Sequence, residues 1–204
     1  MFLDITSQNQ YFEVNNYLNG KDMFIQTEAT PNPESLKFLP GVTISKMPMN
    51  FLNIEQASNS PLAQKLFSLK EVKSVFLGYD FITITKQEDV QWEFIKAEIL
   101  VAIMDFLISG KEAVVKVENS SANVSPENED KIVKEIREII ENQVRPSVMQ
   151  DGGDIVFHDF KDGIVRVELH GACSGCPSST VTLKNGIENM LKYYVPEVIS
   201  VEAL

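Results

Sequence analysis

From Met23 onward the apolar positions recur with two different spacings, alternation and helical periodicity, and the switches between them mark the elements. Phe24–Glu28 and Leu36–Leu39 read as two short strands joined by a turn at Pro31, Asn32 and Pro33, since each proline removes a donor and fixes φ. Ser60-Pro61 then opens the short helix LAQKLFSL, with serine as N-cap and proline in the first turn. VKSVFL and FITITK follow on either side of Gly78-Tyr79-Asp80 and read as a hairpin. From Gln91 to Ser109, Phe94, Ile95, Ile99, Ala102, Ile103, Phe106 and Leu107 recur at helical spacing until Gly110 stops the helix. The order is ββαββα, a compact α+β unit without a cysteine.

Apolar periodicity is lost over ENSSANVSPENED, residues 118–130, where serine, asparagine, proline and acids read as a linker. Beyond it, Ile132, Val133, Ile136, Ile139, Ile140 and Val144 line one face of a helix expected to begin near Ser125-Pro126 and to kink or end at Pro146. Asp151-Gly152-Gly153-Asp154 is a turn. IVFHDF and IVRVELH flank Asp162-Gly163, the strongest short hairpin signal in the chain. In the second of these strands Val165, Val167 and Leu169 share one face, and Arg166, Glu168 and His170 the other. Leu183, Ile187, Leu191 and Tyr194 then place a helix against the hairpin, Pro196 ends it, and VISVEAL is a third strand. The expectation is an α+β protein of two small domains: a polar extension at 1–22, a ββαββα unit at 23–115, a linker at 116–128, and a helix–hairpin–helix–strand unit at 129–204.

Composition narrows the function. Hydrophobic residues at 44% and charged residues at 23% are ordinary for a globular chain. A formal charge of -11 without any basic run argues against nucleic acid, whose phosphates are bound through Lys and Arg. The longest apolar run, Ile99 to Ile108, is interrupted by Asp105 and is too short for a bilayer, so no membrane role is expected. The first 22 residues lack an apolar core and any arginine, and read as neither a signal peptide nor a transit peptide. Two cysteines in 204 residues make no disulfide scaffold, so a reducing compartment is expected.

Those two cysteines lie together in GACSGCPSS, residues 171–179. Cys173 leaves a strand and Cys176 enters a helix, with Pro177 suited to the first turn. A helix N-terminus offers unpaired N–H groups and a positive dipole end, which favour thiolate, the form that soft metals bind. Gly171 and Gly175 let the backbone bend tightly. The ligand count is short: iron–sulfur clusters and structural zinc sites take about four protein ligands and one chain offers two thiols, so a stable site needs two loops facing each other across a two-fold axis. By itself the pair leaves open a metal or cluster site, thiol–disulfide exchange and a structural coincidence. The hairpin-then-helix setting argues against a thioredoxin-like site, which wants a βαβ unit with a parallel sheet.

DGGDI at 151–155 followed by GACSGCPSSTVTLKNGIENML at 171–191 resembles the C-terminal domain of NifU, and ATPNPESLKFLPG at 29–41 resembles the N-terminal domain of Nfu proteins. Together they cover almost everything from Met23 onward. The chain therefore resembles a two-domain Nfu-type iron–sulfur scaffold or carrier, of the bacterial and mitochondrial type. The resemblance implies a [4Fe-4S] cluster, with [2Fe-2S] as the variant form, bridged by Cys173 and Cys176 of two protomers. It further implies a homodimer when loaded, upstream assembly proteins that supply the cluster, and apo-proteins such as lipoyl synthase or aconitase-like enzymes that receive it. The N-terminal domain would bind no metal and would serve partner recognition. The location implied is the bacterial cytoplasm, or the mitochondrial matrix in a eukaryote.

Gly171, Gly175 and Pro177 match the family's loop, and Asp151, Gly152, Gly153 and Asp154 its turn. His170 departs from the neutral polar residue expected there, and is read as a solvated strand-end side chain, with a third ligand or proton carrier as the alternative. His158 is read as surface, the DGGD acids as shaping a turn rather than holding a cation, and ATPNPESLKF as a rigid connection rather than a partner-docking surface. No Ser–His–acid set, phosphate-cradling loop or zincin motif appears, so no catalytic site is nominated and no enzyme is expected. The rivals are a thiol–disulfide oxidoreductase using the same cysteines and a dimer held by structural zinc.

Overall fold

The computed structural model describes residues 24–115, 130–174 and 177–204, with the backbone alone for 177–180. The extension 1–22, the linker 116–128 and the expected helix start at Ser125-Pro126 lie outside the described residues.

The first domain is a five-stranded antiparallel sheet in the order β1-β2-β5-β4-β3, built from β1 (Gln26–Ala29), β2 (Ser35–Leu39), β3 (Met49–Phe51), β4 (Val72–Leu77) and β5 (Ile82–Lys86). Two helices, α1 (Pro61–Phe67) and α2 (Trp92–Ile108), cover one face. Alternation decides which residues meet them: Phe38, Phe51, Val75, Leu77, Ile82 and Ile84 point into a shared core with Leu62, Leu66, Ile95, Ile99 and Ile103. Each such fully buried side chain contributes about 1.5–3 kcal/mol relative to exposure. Ser60 caps α1 by accepting from the Ala63 amide at 3.1 Å, and its hydroxyl donates to the Ala113 carbonyl at 2.7 Å, fixing the chain's exit beside its entry.

Two expectations need correction. The domain has three strands before α1, not two: Met49–Phe51 pairs with Val75–Leu77, and three residues behind Pro48 are too few for alternation to show. Phe94 does not face the core but is 76% exposed, while its neighbour Ile95, turned about 100° around the helix, is buried.

The second domain pairs β6 (Gly153–Lys161) with β7 (Ile164–Gly171) as an antiparallel hairpin and adds β8 (Ser200–Ala203) parallel to β7. Asp162 and Gly163 both take positive φ, 52° and 79°, the backbone that a tight Asp-Gly hairpin turn requires. α3 (Lys131–Ile139), capped by the Asp130 carboxylate accepting from the Ile132 amide, runs into a π-helical turn at Ile140–Val144 and then α4 (Arg145–Gln150). Pro146 lies in the first turn of α4, so the proline reshapes the helix rather than ending it. These helices and α5 (Pro177–Tyr194) enclose a second core around Ile136, Ile140, Ile155, Val165, Val167 and Leu191. Among the described residues no helix is long and apolar enough to cross a membrane.

Candidate metal centre at the cysteine loop

β7 ends at Gly171, whose φ of +61° turns the chain back on itself. The turn is tied by Ala172 N–H to the Gly152 carbonyl at 3.2 Å, Cys173 N–H to His170 at 3.3 Å and Ser174 N–H to Gly171 at 3.2 Å. α5 begins at Pro177. Gly175 and Cys176 lie outside the described residues, so of the two candidate ligands the structure locates Cys173 alone.

The DGGD turn and the cysteine loop are in contact. A Cβ on Gly153 would stand 2.7 Å from Cys173 Sγ and 2.5 Å from the His170 carbonyl oxygen, so only glycine lets the two segments approach. Asp154, 1% exposed, is no cation ligand in waiting. Its carboxylate receives Nε and Nη2 of Arg145 at 2.7 and 2.9 Å and the Ile155 amide at 2.8 Å. Arg145 also reaches Glu141 at 2.7 Å. The two acids, foremost Asp154, hold the guanidinium even more firmly charged than usual. Arg145 was not singled out from the sequence, because it follows the apolar helix face and carries no motif.

Cys173 is 6% exposed and packs with the second core. Burial first, and then the charges of Asp151 and Asp154, push its thiol up to about 12. At Cys173, burial in the core thus opposes the stabilised thiolate expected at a helix terminus. Among the described residues no set of three or more His, Cys, Asp and Glu side chains is arranged to hold a metal ion.

His170 is not a freely solvated side chain. Its side chain is 18% exposed, and Nε2 meets Glu168 Oε1 at 2.9 Å. His158, on the exposed bulged edge of β6, meets the other oxygen of Glu168 at 3.0 Å. Bridging two imidazoles, His158 first and His170 second, holds the Glu168 carboxyl below its usual range.

The first domain reaches the same loop through the sheet face opposite its helices. Strand pairing aligns Glu28, Lys37, Thr83, Phe76 and Asn50 in one row across all five strands. Lys37 Nζ donates to the Gln150 carbonyl at 2.9 Å, and Thr83 Oγ1 to the Gly152 carbonyl at 2.7 Å. Asn50 Oδ1 accepts from the Gly171 amide at 3.5 Å, and a Cβ on Gly171 would stand 3.0 Å from the Phe76 ring. From the Pro-Asn-Pro turn, Asn32 Nδ2 donates to the Ser174 carbonyl at 3.5 Å.

Two known families match the chain, one over each domain. The family described as "Scaffold protein Nfu/NifU N terminal" matches residues 25–110, and the "NifU-like domain" matches residues 136–202. A Drosophila willistoni protein named "NFU1 iron-sulfur cluster scaffold homolog, mitochondrial" is 48% identical over 187 residues, 91% of this chain and 65% of that protein. The human protein of the same name is 48% identical over 182 residues, 88% of this chain and 71% of that one. The chain thus spans somewhat under two thirds of the length of the Drosophila relative. A solution NMR structure of a NifU-like protein from Saccharomyces cerevisiae aligns with a TM-score of 0.44 and 27% identity, over 56% of this chain and 100% of that one. With an N-terminal Nfu region, a NifU-like region carrying the two-cysteine loop, and near-half identity to a relative it covers by more than two thirds, the chain belongs to the NFU1 family of iron–sulfur cluster scaffold proteins.

Proposed function

We propose that this chain carries an iron–sulfur cluster as cargo, a [4Fe-4S] cluster bridged between two protomers by Cys173 and Cys176 of each, and delivers it to apo-proteins. The observation that carries the reading is the C-x-x-C pair on the loop between β7 and α5 of a scaffold-family chain: two thiols, half of a four-ligand set. Metal binding removes thiol protons as it proceeds, so a protonated Cys173 is compatible with an empty carrier. Against a disulfide oxidoreductase stands the setting of the pair, after an antiparallel hairpin rather than in a βαβ unit with a parallel sheet.

In this reading residues 23–115 and 129–204 are the working units, joined by the tether at 116–128, and the loaded form is a homodimer. Release is thiolate exchange: an acceptor's cysteines displace Cys173 and Cys176 stepwise while the cluster's iron and sulfide stay together. The cellular setting is the mitochondrial matrix, following the named relatives.

The test is anaerobic reconstitution with iron and sulfide, read by visible absorption, metal and sulfide content, and light scattering. Wild-type protein is expected to load one cluster per two chains and to double in mass. Cys173→Ser and Cys176→Ser are each expected to lose loading while keeping a native circular dichroism spectrum. A full iron and sulfide complement in either variant overturns the ligand assignment.

A further inference from the structure

The row Glu28–Lys37–Thr83–Phe76–Asn50 lies on the face of its sheet that strand alternation assigns to solvent. Thr83 is nevertheless 1% exposed, Phe76 1% and Lys37 7%. Phe76 belongs to neither hydrophobic core; its ring meets Phe81 of its own domain and the backbone of Gly171 in the other. Among the described residues, the row's hydrogen bonds across the boundary run to main chain: the carbonyls of Gln150 and Gly152 and the amide of Gly171. These atoms belong to the two segments that bracket the cysteine loop. Asn32 adds a contact to Ser174, which lies between the two cysteines in the chain.

We infer that the sheet face of the N-terminal domain is a removable cover for the cysteine loop, docked while the chain is empty and displaced when two copies bring their loops together. The inference rests on the carrier reading above. Metal–thiolate bonds are about 2.3 Å long, so a shared cluster draws two loops and their flanking backbone into close apposition. A domain resting on Gln150, Gly152, Gly171 and Ser174 occupies that flank. The contact suits a reversible latch: two short hydrogen bonds, two long ones at 3.5 Å and one ring, and domain contacts of this modest kind permit relative motion. Tethering keeps the cover at high local concentration, so it re-docks once the cargo has left.

Thr83→Glu sets a carboxylate against the Gly152 carbonyl, on the face away from the helices, and so releases the latch without touching the domain's core. In the full-length, metal-free protein, small-angle scattering is expected to show a larger radius of gyration for the variant than for the wild type, the effect of losing a buried hydrogen bond and adding a repulsive contact at the boundary. Iron and sulfide loading is expected to quicken as well, and small-angle scattering is expected to show the wild-type domains parting on loading. Lys37→Met, which removes the Gln150 contact, serves as a second variant if Thr83→Glu fails to fold. Unchanged scattering in the folded, metal-free variants, or a loaded wild-type dimer whose domains keep their metal-free arrangement, overturns the cover. Whether wild-type protein takes up iron and sulfide at all judges the carrier reading separately, since the comparison of metal-free variants contains no metal.

Discussion

Arg145→Ala is the substitution whose cost the geometry specifies best. The guanidinium meets a carboxylate that is 1% exposed through two bonds of 2.7 and 2.9 Å, a bidentate charge-assisted pair. Removing one partner of such a pair strands the other charge in a poorly solvated site, at about 3–5 kcal/mol. Arg145's own side chain is 24% exposed, so water can enter where the guanidinium stood, which places the loss near the lower end, about 3 kcal/mol. The Glu141 contact is an exposed i,i+4 pair and adds about 0.3–0.5 kcal/mol at most. For a domain of this size a loss of about 3 kcal/mol lowers Tm by about 12 °C or more. Urea and thermal unfolding of the metal-free protein measure it, with an unchanged m-value confirming that the native state lost stability. Arg145→Met combined with Asp154→Leu is expected to recover part of the loss, because no unpaired charge remains. A cost below about 1 kcal/mol for Arg145→Ala, or an equal cost for Glu141→Gln, refutes the argument that burial of Asp154 sets the magnitude.

Gly153→Ala forces a methyl to within 2.7 Å of Cys173 Sγ and 2.5 Å of a carbonyl oxygen, and is expected to cost about 1–3 kcal/mol in urea unfolding and to impair cluster loading. Ser60→Ala removes both the α1 cap and the donor to Ala113 at a fully buried position; a loss of about 2 kcal/mol is expected, read as a lower thermal midpoint of the first domain. Glu168→Gln tests the bridged histidines. Because the folded carboxyl titrates below its ordinary value of 4.5, its contribution is present above that pH and disappears as the pH falls through the folded value. Stability curves of wild type and Glu168→Gln are therefore expected to converge in acid and separate above about pH 4.5; parallel curves throughout would exclude the bridge as a stabilising feature.

How far the fold is legible depends on how local its cause is. The Asp162-Gly163 hairpin could be read directly because two positive φ angles are a property of two residues. The five apolar positions of α2 from Ile95 to Phe106 could be read because helical periodicity repeats the same signal turn after turn. β3 could not, since its three residues pair only because β4 offers them an edge. The same limit applies at the site. Sequence locates the cysteines and their glycines, but the reading of Cys173 as an activated thiolate considered the helix terminus and not the core behind the sulfur. FITITK marks Thr83 as facing away from its own helices, yet nothing local distinguishes a face open to water from one that meets another domain. Arg145 was invisible for a related reason: its partner Asp154 read as a turn residue, and its burial is settled by tertiary packing.

The wide turn at Ile140–Val144 makes this stretch sensitive to spacing more than to composition. Ile136, Ile140, Val144 and Val148 all lie inside the core at successive intervals of four, which on an ordinary α-helix would drift about 40° per step. The looser winding absorbs that drift and delivers the guanidinium to its acid. Deleting a single residue within this turn would let it rewind as an ordinary α-helix with little net rotation downstream, whereas a deletion in the α-helical stretch before it would rotate everything downstream by about 100° and be felt at the DGGD turn even if every remaining side chain were untouched.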